Sequence, residues 1–118
     1  VISHDSALAL YELSDAMPTR THLTVSRTAS RRREGVVLHT NHLDDADTTM
    51  IGVLPVTTVS RTIADAAGSG MPAEQVIAAA HQAVDRGLVT ASDLLSYATS
   101  RGGRPKQLVV RALEGEVA

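Results

Sequence analysis

Cysteine, phenylalanine and tryptophan are all absent from this chain of 118 residues. Without cysteine there are no disulfides and no thiolate metal sites, and a reducing compartment suits the sequence. The only aromatic rings outside histidine are Tyr11 and Tyr97. The core must therefore come from valine, leucine, isoleucine and many alanines, which favours close helix packing. The same scarcity removes the aromatic platforms on which single-stranded nucleic acid usually stacks. No apolar run approaches the ~20 residues of a membrane-spanning helix, and no basic-then-apolar leader opens the chain. These features predict a soluble, cytoplasmic protein. Lysine is nearly absent as well: Lys106 stands alone beside ten arginines, and the formal net charge is −2. No global basic field exists, so the placement of charge matters more than its sum.

What is present reads as an α+β pattern. Ser3 followed by "HDSALALYEL" predicts a short helix over about 4–13, with Ser3 as its N-cap. "THLTVS" alternates and is β-branched, which predicts a strand over 21–26. Gly35 leads a second strand, "VVLHT", over 36–40. The two are expected to pair as a hairpin whose long tip is "RTASRRRE". "TMIGVLPVT" reads as one or two short strands around Gly52 and Pro55. Pro55 lacks a ladder donor and is expected at an edge or a strand end.

Four helices are expected to follow. Thr57 or Thr58 can cap the first, which ends at "GSG". Pro72 starts the second, with Ala73, Val76, Ile77, Ala80, Val84 and Leu88 on one face. Thr90 and Asp93 have capping-box spacing at the start of the third, which stops at Gly102–Gly103. Leu108, Val109, Ala112 and Leu113 stripe the last. The order predicts one domain over residues 1–118: a small, mainly antiparallel sheet of three to four strands covered by about five helices.

The chemistry-bearing residues fall into three groups. Thr57, Thr58 and Arg61, with Ser60, Thr62 and Asp65, suit an anion or small ligand at a helix N-terminus. The simpler reading is a strand-to-helix joint, with the hydroxyls as caps and Arg61 and Asp65 as an i,i+4 pair. Arg27, Arg31, Arg32 and Arg33 form a basic group at the expected hairpin tip. Arg101, Arg104 and Lys106 form a second, around "RGGRPK". Arginine forks suit phosphate or an acidic protein surface. Histidines make the third group. His39 and His42 are spaced HxxH with Asp44, Asp45 and Asp47 behind them, but a strand end and a loop do not bring such a pair together as a helix would, and no metal is expected. His81 is expected to be half-buried and paired with Asp85, and His4 to sit at a helix start.

Catalytic signatures are missing. No Glu/Asp-x-Lys stands near a carboxylate cluster, no GxSxG surrounds a serine, and there is no P-loop and no thiol nucleophile. The residues predict a non-enzyme without a cofactor.

Five pieces in order, "ISHDSALALYEL", "HLTVS", "GVVLHT", "GVLPVTTVSRTIADAA" and "AAAHQAVDRGLVT", resemble the region that follows the DNA-binding module of AbiEi-type antitoxins, the type IV toxin–antitoxin transcriptional regulators of bacteria. The likeness spans about residues 1–113. It implies a domain that neutralises a nucleotidyltransferase-like toxin. In such antitoxins an N-terminal winged helix-turn-helix binds operator DNA and represses the operon. Nothing before "VISHDS" matches that module, so the resemblance implies the C-terminal part of a longer protein. Any DNA contact here would then be with the backbone, beside a reader that is absent. The same region is similar to a segment preceding the catalytic core in relatives of very-short-patch-repair endonucleases, which leaves an accessory nuclease domain as the alternative.

Overall fold

The computed structural model describes residues 1–13, 20–25 and 35–114. Along them run α1 (His4–Leu10), β1 (Thr21–Val25), β2 (Val36–Thr40), a 3-10 turn (Asp45–Asp47), β3 (Thr48–Ile51), β4 (Leu54–Thr57), α2 (Val59–Gly68), α3 (Ala73–Asp85), α4 (Ala91–Arg101) and α5 (Gly103–Glu114). The α+β class follows from this order. The sequence suggests one domain over 1–118. By backbone proximity the chain gathers into two compact units, Val1–Thr58 and Val59–Ala118.

The first unit departs from the single antiparallel sheet. It holds two two-stranded sheets, β1–β2 and β3–β4. β1 and β2 have the expected positions but run parallel, with Thr24 opposite His39. Residue alternation sets which face a side chain occupies; it does not set the partner or the direction of a strand. β1 does have an antiparallel neighbour, but it is Ile2, which bridges Leu23 on one side and Val56 of β4 on the other. Residues 1–3 thus form a strap. Thr24 N–H donates to the Val1 carbonyl at 2.8 Å, Ser3 N–H to that of His22 at 3.1 Å, Ile2 N–H to that of Pro55 at 2.9 Å and Thr57 N–H to that of Ile2 at 2.9 Å.

β3 and β4 are an antiparallel hairpin closed by Gly52 and Val53. Gly52 has φ 61 and Val53 does not share a positive φ. That is the glycine-first arrangement whose twist suits a two-residue hairpin loop. Pro55 lies inside β4 rather than at its end. Counted from the turn, its pairing with Met50 falls at a non-hydrogen-bonded position, where a missing N–H costs no ladder bond.

α1 is shorter than expected. Glu12, at φ 57, ends it. Leu13 N–H donates to the Leu8 carbonyl and Glu12 N–H to that of Ala9, a left-handed C-terminal closure that brings the buried Leu8 and Leu13 to its two ends. The Ser3 side chain makes no cap bond to this helix; its hydroxyl is engaged elsewhere.

In the second unit α5 packs on α2, α3 and α4. Its stripe, Leu108, Val109, Ala112 and Leu113, is buried as the sequence predicts. α4 is capped as expected, Asp93 N–H donating to Thr90 Oγ1 at 3.1 Å. The buried face of α3 is rotated from the expected one. Val76, Ala79, Ala80 and Ala83 are buried, whereas Leu88 is 39% exposed. Alanine brings helix axes close, so the smallest side chains, not the largest, mark the packed face.

Candidate functional site

The opening of α2 resolves into internal bonds. Arg61 and Asp65, one turn apart, are both buried, and Arg61 Nε donates to Asp65 Oδ2 at 3.1 Å. The other carboxylate oxygen takes Arg101 Nη1 at 2.9 Å. One carboxylate thus holds two guanidinium groups, from α2 and from the end of α4. Thr57 and Thr58 belong to the first unit. Thr57 is buried; its carbonyl accepts the Tyr11 hydroxyl at 2.9 Å. Thr58 N–H donates to the Asp47 carbonyl at 2.9 Å. Burial raises the Tyr11 phenol above its ordinary value, which keeps it protonated and able to donate.

Arg104 is likewise turned inward. Its Nη1 donates to the Ala67 carbonyl and its Nη2 to the Met71 carbonyl, each at 2.6 Å. The fork closes the C-terminal end of α2, where carbonyl oxygens lack intrahelical donors and the helix dipole favours a cation. Of the second basic group, Arg101 and Arg104 therefore hold the helical unit together, and Lys106 is exposed. Arg27, Arg31, Arg32 and Arg33 lie outside the described residues.

The histidines sort differently from the HxxH reading. His42 bonds Asp44 at 2.7 Å on the surface. His39 turns to His22 instead, Nε2 to Nδ1 at 3.0 Å, and stacks on His4 with ring centroids 3.6 Å apart. No group of three or more metal-binding side chains with suitable geometry occurs among the described residues. His81 is half-buried, as expected.

The feature missed in the sequence is apolar. At the β3–β4 turn Met50 is 58% exposed, Val53 87% and Leu54 41%. Met50 faces one side of the hairpin and Leu54 the other, with Val53 at the tip. A signal was there: "MIGVL" has no polar alternation, so any hairpin built from it must turn apolar groups outward. No helix among the described residues is long and apolar enough to cross a membrane.

No protein-family model matches the chain, and no curated protein matches it significantly.

Proposed function

We propose that this chain is a non-catalytic, protein-binding domain that neutralises a nucleotidyltransferase-like toxin, the role implied by its resemblance to AbiEi-type antitoxins. Operator reading and repression are not part of the role proposed for these residues. The observation that carries the reading is the β3–β4 tip. Three large apolar side chains at one turn, open on both faces, suit insertion into an apolar cleft of a partner protein. Three of the other candidate arginines, Arg61, Arg101 and Arg104, support the reading from the other side, since their described bonds lie within the helical unit.

The test is co-purification of the chain with a nucleotidyltransferase-like toxin. Val53→Asp places a charge at the tip without touching a buried residue. Complex formation is expected to weaken at least tenfold while the circular dichroism melt stays unchanged. Equal binding by wild type and variant would contradict the reading.

A further inference from the structure

Along an antiparallel strand, successive residues turn their N–H and C=O alternately across the ladder and away from it. The strap fixes this phase in the β3–β4 hairpin. The Pro55 carbonyl accepts the Ile2 N–H and the Thr57 N–H donates to the Ile2 carbonyl, each at 2.9 Å, so Pro55 and Thr57 turn away from β3. Their partners across the ladder, Met50 and Thr48, therefore turn away from β4. The Thr48 N–H bends back to the Asp45 carbonyl. The Met50 N–H and C=O find no hydrogen-bond partner among the described residues, and no described strand lies on that side of β3.

A sheet edge left open in this way invites another strand, and folds commonly blunt it with a charge or a proline on the edge strand. β3 reads "TTMI" and carries neither. Its outward-turned Met50 is also an exposed apolar side chain. The turn end of the edge is open as well, since a Cβ placed on Gly52 would meet nothing within 4 Å. The other end is acidic. Asp44 and Asp45 are exposed there, Asp44 bonding His42, and no lysine or arginine stands between Arg33 and Arg61 in the sequence.

We propose that the open edge of β3 receives an extended segment of the toxin as an added strand, with an apolar residue beside Met50 and a lysine or arginine where the segment passes Asp45. This rests on the toxin-binding reading of the β3–β4 tip and gives that reading its mode of attachment. Main-chain bonds to the Met50 N–H and C=O supply affinity, and the side chains beside Met50 and Asp45 supply selectivity. The charge of the edge decides the kind of partner. A second copy of this chain would bring the same anionic stretch, with no cation to meet Asp45, whereas a segment with a basic flank is drawn to it.

The test is a pair of variants at one position, each titrated with a nucleotidyltransferase-like toxin. Met50→Pro removes the outward N–H. It costs the β3–β4 ladder no bond, because Met50 lies opposite Pro55 at a position that makes none. Met50→Leu keeps both the N–H and an apolar side chain. Met50→Leu is expected to bind as the wild type does, and Met50→Pro to bind about tenfold more weakly or worse, since a partner carbonyl loses its donor. Asp45→Asn is expected to weaken binding at low salt and to make little difference at high salt. Normal binding by Met50→Pro overturns the added strand and leaves the tip reading to stand or fall on Val53→Asp alone. A dimer of the chain by itself that Met50→Pro dissociates assigns the edge to a second copy and also overturns it. Should Met50→Pro not fold, amide hydrogen exchange on the wild-type chain decides. Slowing at the Met50 amide on toxin binding supports the proposal, and unchanged exchange there refutes it.

Discussion

Asp65 Oδ1 and Arg101 Nη1 stand 2.9 Å apart, and the carboxylate side of that bond is only 2% exposed. Because the other oxygen holds Arg61, removing the carboxylate takes the Asp65 ion pair from a buried guanidinium. Asp65→Ala is expected to cost about 3–5 kcal/mol. Arg101→Ala is expected to cost less, nearer ~1 kcal/mol, since water reaches the Arg101 side chain. Urea unfolding of both variants checks the order, and equal costs would mean that Asp65 is not the shared acceptor.

Arg104→Ala removes both donors from the α2 terminus and is expected to cost about 2 kcal/mol. Arg104→Lys restores only part of this, because an ammonium cannot span the Ala67 and Met71 carbonyls as a fork does. Thermal unfolding of the pair tests it. A lysine variant as stable as the parent would leave only charge, not bidentate geometry, at that helix end.

The helical half is largely legible in the sequence because its signals are local. The Thr90 cap, the Gly102 stop and the α5 stripe are each set by residues within one turn. What escapes depends on partners distant in sequence. Arg101 and Arg104 look like an exposed basic group until Asp65 and the end of α2 are brought to them. β1 and β2 are visible as strands, but nothing in "THLTV" or "VVLHT" reports that Ile2 takes the antiparallel side of β1. The three stacked histidines lie in three separate elements, and only register and docking unite them. On α3 the periodicity is helical as expected, but weighting large side chains over Ala79 and Ala83 turns the face by part of a turn.

Tyr11 predicts an alkaline response. Its folded phenol is held above its ordinary value by burial, so its contribution to stability is intact below about pH 10 and is lost as pH rises through the folded value. Tyr11→Phe forfeits the bond to the Thr57 carbonyl, about 1 kcal/mol at neutral pH. In return its stability is expected to fall less steeply above about pH 10. Denaturant midpoints on either side of that pH check this, and parallel declines would place Tyr11 outside the effect.

For the basic group at Arg27, Arg31, Arg32 and Arg33, duplex DNA backbone and an acidic protein surface are equal candidates as partner, and a DNA contact would have a definite signature. Replacing Arg31, Arg32 and Arg33 with alanine should weaken binding about equally on any sequence. The slope of log affinity against log salt should shrink by about 0.9 for each phosphate that is no longer neutralised. An unchanged slope would remove this group from DNA binding, and weakened toxin neutralisation by the same variant would then point to an acidic protein surface as its partner.

The proposed engagement of a toxin by the apolar β3–β4 tip is tested most directly by growth of cells that express a nucleotidyltransferase-like toxin together with this chain. Wild type is expected to restore growth. The double variant Met50→Ser with Val53→Asp, folded to the same extent by circular dichroism, is expected to leave the cells arrested. Full rescue by that variant, or no rescue by the wild type, would contradict a toxin-binding role for the tip.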